Sequence, residues 1–183
     1  MPRCHSAGAR PRTTVPDGLP DGLPDGLPDV LPDVLPRGLR LVIIGSAAGR
    51  VSAARGAYYA GPGNRFWAML HHIGLTDRLL APAEFRRLPA YGIGLTDLAK
   101  QASGADAELP PGAYDAAGLA GRLRACRPAL IAFNGRAPHA HFVAAGVAAG
   151  LPEIVALPST SGAARRWWDP APWFALAARM RAA

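Results

Sequence analysis

Apolar residues along this chain fall into two rhythms. Leu41-Val42-Ile43-Ile44 is apolar at every position and ends in Gly45, the pattern of a strand buried on both faces. Pro128 to Phe133 repeats it, ending in the turn Asn134-Gly135; Glu153 to Leu157 reads as a third strand, ending in Pro158-Ser159-Thr160-Ser161-Gly162, and Tyr91 to Leu98 as a short strand and turn. Between these runs the spacing changes to the helical one. Phe66, Met69, Leu70 and Ile73 share one face of a helix starting at Arg65, with Asn64 placed to cap it. Helices are also predicted over Ala116 to Cys126, Pro138 to Ala149, and Pro172 to Arg181, the last with Trp173, Leu176, Ala177 and Met180 at core spacing. Gly49 to Gly63 reads as a polar, flexible stretch. Strands alternating with helices predict an α/β fold, a three-layer α/β/α sandwich with a mostly parallel central sheet. Ligands of such folds bind beyond the carboxyl ends of the strands, where three of the turns just named lie.

Residues 16 to 39 follow a different rule: PDGL three times, PDVL twice, then PRGL. Proline at every fourth position removes amide donors and forbids a continuous helix, and Asp-Gly after proline favours turns. Residues 1–36 are therefore expected to form an extended or turn-rich tail whose last units lead into the fold, and residues 37–183 a single domain.

Composition adds a partner class. The chain of 183 residues has a formal net charge of +7, and its charge is uneven. Five of the acids precede residue 37, so the remainder carries 17 basic against 8 acidic residues. A basic globular part attracts polyanions, nucleic acid first among them; a GC-rich coding sequence rich in arginine gives the same balance. Cys4 and Cys126 are too few for a disulfide framework or a zinc or iron–sulfur site, which fits a reducing, cytoplasmic setting. The histidine pairs 71/72 and 139/141 lack metal-site spacing, so no metal is expected. No apolar run is long enough to span a membrane, and no apolar segment of a secretory signal comes after the first arginines.

The Gly45 to Gly49 turn lacks both the dinucleotide-binding glycine spacing and the Walker lysine, so a nucleotide cofactor is not implied. The residues around and beyond the turn are more specific. Leu41 to Trp67, LVIIGSAAGRVSAARGAYYAGPGNRFW, resembles the first motif of the mismatch-specific uracil/thymine DNA glycosylases of the uracil-DNA glycosylase superfamily, in which a strand ends in GINPG and an aromatic and an Asn-Arg-Phe-Trp run come after it. Leu157 to Gly162 is similar to the second motif of that family, and Gly92 to Leu98 and Phe133 to Arg136 resemble segments between the two. The lead-in Leu31 to Leu35 has the family's look as well, so the likeness covers about residues 31 to 180.

That resemblance implies a monofunctional glycosylase that flips a deaminated base out of DNA and hydrolyses its N-glycosidic bond, uracil being the expected substrate, with water as co-substrate and no cofactor. It places Tyr59 on the flipped base, with Tyr58 as a second candidate. It places the Pro158-Ser159-Thr160-Ser161-Gly162 loop in the duplex, filling the space left by the base, with Arg165 and Arg166 on the DNA backbone. Asn134 would read the edge of the base. One position departs from the pattern. The family's water-positioning Asn of the first motif is replaced by Ala47, whose side chain neither donates nor accepts. Asn64 is the first replacement, with Ser46 or Ser159 as others. The hypoxanthine-DNA glycosylase branch resembles this chain in lacking the first-motif Asn, in its Tyr-Tyr-Ala run and in its Leu-Pro-Ser-Thr-Ser loop, so hypoxanthine is the rival substrate. A protein that binds lesions or abasic sites without catalysis is the alternative of another class. Lys100, the only lysine, is expected at the surface rather than in a Schiff base. A monomer acting on DNA and releasing an abasic-site product is the expected partner relation.

Overall fold

The computed structural model describes residues 28–182. The first three repeat units and the start of the expected tail lie outside the described residues. β1 (Leu41–Ala48), β2 (Ile93–Ser103), β3 (Leu130–Asn134) and β4 (Ile154–Leu157) form a four-stranded sheet in the order β2-β1-β3-β4, and every pair is parallel. Helices α1 (Arg50–Arg55) and α2 (Phe66–His72) connect β1 to β2. α3 (Ala116–Cys126) connects β2 to β3, α4 (Arg136–Ala144) connects β3 to β4, and α5 (Ala171–Ala182) closes the chain.

Alternation along the strands builds the three layers. Leu41 and Ile43 of β1, Ile93 and Leu95 of β2, and Leu130 and Ala132 of β3 enter one core with Phe66, Leu70, Trp173 and Leu176 of α2 and α5. Val42, Ile44, Ile131 and Phe133 point to the opposite face and pack with Leu119, Leu123 and Phe142 of α3 and α4. The unbroken apolar run Leu41 to Ile44 of β1 is thus explained, since both faces are covered. From β1 the chain crosses to β2 on one side, and from β3 to β4 on the other. The crevice between the carboxyl ends of β1 and β3 is therefore the point at which the winding reverses, where α/β sheets of this kind bind ligands.

Three local expectations change. The stretch after Gly49 is not flexible throughout: Arg50–Arg55 is helical, and the buried Ser52 hydroxyl accepts from the Ala60 amide at 3.0 Å, tying the helix to the loop beyond it. α2 begins at Phe66 rather than Arg65, one residue later than predicted. α4 begins two residues before Pro138, which a first helical turn tolerates because its amide needs no partner there, and stops at Ala144, ahead of Gly146 in the left-handed region at φ 67°.

The packed part of the chain also starts ahead of residue 37. Leu31 and Val34, from the two PDVL units, are buried in the core, and Val34 bridges antiparallel to Leu95 of β2. Asp33 receives the Thr96 hydroxyl at 2.7 Å, pairs with Lys100 Nζ at 2.7 Å and lies 3.1 Å from Arg122 Nε. Lys100 is buried, contrary to the surface position expected, and it also donates to the Leu31 carbonyl. One lysine thus fastens the incoming chain to β2 with charge-assisted bonds inside the domain.

Candidate active site

A cavity of about 590 Å³ opens at the carboxyl ends of β1 and β3. The Gly45-Ser46-Ala47-Ala48-Gly49 turn forms one wall and Ser159 to Ala164 another. Tyr58, Tyr59, Asn64, Asp97 and Asn134 complete it. Residues from the ends of three strands and from the loop before α2 thus converge, although they are separated by more than a hundred positions in the chain.

Tyr59 is held in an unusual backbone state. Its φ is 54°, in the left-handed region that a bulky residue occupies only at a cost. The ring gains a stacked contact with Phe66 at a centroid distance of 3.9 Å, so the first residue of α2 fixes the plane of the tyrosine at the cavity. Its hydroxyl is buried and makes no well-formed hydrogen bond among the described residues, although the Asn134 side chain lies close enough to act on it. Burial, and then the charge of Asp97, push its pKa well above the usual value, against an opposing pull from Asn134. Tyr58 is different. It is 1% exposed, its ring meets the edge of Phe85, and its hydroxyl donates to the Pro32 carbonyl at 3.3 Å. It borders the cavity but is engaged in holding the lead-in segment, which leaves Tyr59 as the aromatic suited to a planar ligand.

Asp97 is the residue that sequence reading passed over. The parallel register of β1 and β2 sets Asp97 opposite Gly45, where a Cβ would come within 2.2 Å of Asp97 Oδ1. Glycine at position 45 is therefore what allows a carboxyl group to occupy the cavity wall. Asp97 is 3% exposed, and burial raises its pKa from 3.8 to about 7. Lys100 opposes that rise, Asp33 adds to it, and Arg122 opposes it. The available signal was an acid inside Gly92 to Leu98, a segment otherwise apolar enough for a buried strand. A buried acid of shifted pKa in a cleft is a candidate for functional chemistry.

The residues proposed to replace the missing amide at position 47 are not equivalent. Ala47 lines the cavity and brings no polar side-chain atom to it. Ser46 lies beside it, but its hydroxyl shares a 2.6 Å hydrogen bond with Tyr114. Asn64 accepts from the Phe66 amide at 3.0 Å through Oδ1, so it closes the start of α2 from two positions upstream. Its side-chain NH₂ has no partner among the described residues, and Asn64 borders the cavity. Capping and ligand contact are compatible here, because different atoms of one amide serve them.

Asn134 clamps the second loop. Its Nδ2 donates to Thr160 Oγ1 at 2.8 Å and its Oδ1 accepts from the Thr160 amide at 2.9 Å. The Asn-Gly pair after β3 is therefore more than a turn: it fixes the loop after β4 at two atoms, and a second N–H and a second lone pair remain on a side chain that borders the cavity. The loop is pinned from its other side as well. A Cβ on Gly162 would sit 3.0 Å from the Pro62 carbonyl, so this glycine permits contact with the Gly61-Pro62-Gly63 segment that leads to Asn64. Trp173 Nε1 donates to the Pro158 carbonyl at 3.0 Å. Pro158 itself lines a neighbouring hollow rather than the main cavity.

Arg165 and Arg166 project from a 3-10 turn, Gly162–Trp167, and are exposed. Arg65 packs on the Trp168 ring at 5.3 Å. Among the described residues no cluster of His, Cys, Asp or Glu could hold a metal ion, and no helix is long and apolar enough to cross a membrane.

The α/β/α sandwich thus carries at its switch point a cavity of mixed polar and apolar lining, bordered by a stacked tyrosine and by a tethered loop that leads to exposed arginines. Comparison with known proteins gives this fold and site their family. The model of the uracil DNA glycosylase superfamily matches residues 32–181. The chain belongs to this superfamily, and with it to the DNA glycosylases, hydrolases of DNA repair that act on DNA. It is similar to a protein of Methanosarcina acetivorans, solved by NMR in solution and named as a candidate uracil DNA glycosylase. The two share 27% identity and superpose with a TM-score of 0.63 over 82% of this chain and 96% of that one.

Proposed function

We propose that this protein is a monofunctional base-excision glycosylase that removes a deaminated base, uracil first, from DNA. The observation that carries the proposal is the convergence of Tyr59, Asn64, the Gly45 to Gly49 turn and the Ser159 to Gly162 loop on one cavity at the switch point. The target nucleotide leaves the stack and its base enters the cavity against Tyr59, whose plane Phe66 sets. The free NH₂ of Asn64 and a backbone carbonyl hold a water below the sugar. As the bond between C1′ and the base nitrogen breaks, its electron pair goes to the base. Amides of the Gly45 to Gly49 turn and the remaining N–H of Asn134 stabilise that developing anion as fixed dipoles. Water then supplies hydroxide to C1′, and its proton ends on the base. The loop from Pro158 to Gly162 approaches the gap in the duplex, and Arg165 and Arg166 meet phosphates.

Ala47 in place of the first-motif Asn, Asn64 at the cavity and the Leu157 to Ser161 loop support hypoxanthine as the second substrate. Lys100 is engaged by Asp33 and Leu31, and this supports hydrolysis without a lysine Schiff base.

The test is incubation of labelled duplexes carrying one uracil or one hypoxanthine, then alkali to break abasic sites. Wild type and the variants Asn64→Ala, Asn64→Asp and Tyr59→Ala are run in parallel. Strand breaks at uracil are expected, with Asn64→Asp keeping the helix-capping oxygen but losing about a hundredfold or more in rate, because the NH₂ is gone. Breaks at hypoxanthine alone would assign the enzyme to the purine substrate. Tight retention of abasic DNA without any breaks would make the protein a binder and overturn the enzymatic proposal.

A further inference from the structure

The loop beside the cavity brings little bulk. Ser159, Ser161, Gly162, Ala163 and Ala164 are small, and Thr160, its largest β-branched member, is fully buried and bonded to Asn134. The serine hydroxyls turn back on the loop itself, Ser159 Oγ accepting from the Ser161 amide and Ser161 Oγ from the Ala163 amide. Such a loop comes close to a backbone, but it carries no side chain large enough to replace a base in the stack. Five residues beyond Gly162, at the end of the same 3-10 turn, stands Trp167. It is 73% exposed, far more than the buried Trp67 and Trp173.

The surroundings of Trp167 say what would cover it. It lines a hollow with Arg136, Pro158, Ser159 and Ala164, and three of these, Arg136, Ser159 and Ala164, also line the main cavity. The hollow is thus a lateral extension of the site. Arg166 lies over the Trp167 ring at 4.9 Å, and Arg136 and Arg165 are exposed close by in the fold. A large apolar ring among arginines, with no acid lining the hollow, matches a ligand that has flat faces and negative charge, which is the description of a nucleic acid.

We infer that Trp167 is the stacking residue for DNA: its indole packs on a base exposed next to the flipped nucleotide, while Arg166 and Arg136 hold the flanking phosphates. The inference rests on the glycosylase reading for its partner and assigns a residue to hold the distorted duplex open. Stacking of one base on an aromatic side chain corresponds to about 10- to 100-fold in affinity.

Binding is measured with the full-length protein and a duplex carrying a stable abasic-site analogue, by anisotropy of a labelled strand at several salt concentrations. Intrinsic tryptophan emission is recorded in the same titrations. Trp167→Ala is expected to bind about 10- to 100-fold more weakly, with an unchanged melting temperature and an unchanged salt slope, because no phosphate contact is removed. Trp167→Phe is expected to recover most of the affinity. Quenching of emission on DNA addition is expected in wild type and largely lost in Trp167→Phe. Wild-type binding that Trp167→Ala leaves intact, with quenching preserved in Trp167→Phe, would overturn this inference alone and leave the glycosylase reading standing. Tight binding that depends on Trp167, without base release, would remove the enzymatic reading and keep this one. No binding of the duplex by wild type would overturn both.

Discussion

Asp97→Asn isolates the energetic role of the buried acid. In the native protein, burial raises the Asp97 pKa to about 7, while an unfolded chain leaves it near 3.8. The folded state therefore binds the proton more tightly. The stability that this tighter binding contributes is complete below the unfolded value and is lost as pH rises toward the folded value. At about 1.4 kcal/mol per pH unit, the full window amounts to about 4 kcal/mol. That figure is a ceiling, because the cavity opens to solvent on one side. Asparagine has nearly the same shape and does not titrate. The difference in unfolding free energy between Asp97→Asn and wild type is accordingly expected to move in favour of the variant from pH 4 to pH 7, and then to stay level. Urea denaturation at half-unit intervals reads this difference directly, and it cancels the titration of groups common to both proteins. Curves that stay parallel from pH 4 to pH 8 would refute the reasoning, since Asp97 would then ionise alike in the folded and unfolded chains.

Other substitutions probe the same wall. Tyr59→Phe removes a buried hydroxyl that makes no well-formed hydrogen bond and keeps the stack on Phe66, so it should match or exceed wild-type stability by about 1 kcal/mol in thermal melts. A clear loss would mean that the hydroxyl has a partner in solution. Asp33→Ala strips Lys100 of its closest carboxylate in a buried setting and should cost about 3 kcal/mol or more in urea unfolding, despite lying in what reads as a repeat tail. Gly45→Ala drives a methyl group against Asp97 Oδ1 and should cost about 1–3 kcal/mol and slow base release. Substitution without effect on either would show that β2 shifts freely relative to β1.

Much of the sheet was readable from local pattern. Leu41 to Ile44 of β1 and Leu130 to Phe133 of β3 are apolar at every position because both faces are covered, and α3 spans the same residues that its spacing predicts. Asn64, Tyr59 and the loop after β4 were expected from short motifs that resemble those of the family, and the fold brings all three to one cavity. What local pattern does not contain is register. Asp97 faces the cavity because parallel pairing sets it opposite Gly45, and no feature of the residues around Asp97 specifies that partner. The repeat units PDVL look the same as their neighbours in sequence, yet Leu31, Asp33 and Val34 are drawn into the core by Lys100, Thr96 and Leu95, all from a strand some sixty residues later. Asn134 and Tyr58 likewise acquired their bonds to Thr160 and Pro32 through long-range contact. Hydrophobic period and turn chemistry act over a few residues, and so the sequence determined the elements and their ends. Burial, pKa and hydrogen-bond partner depend on which elements come to lie side by side, and the tertiary structure alone decided those.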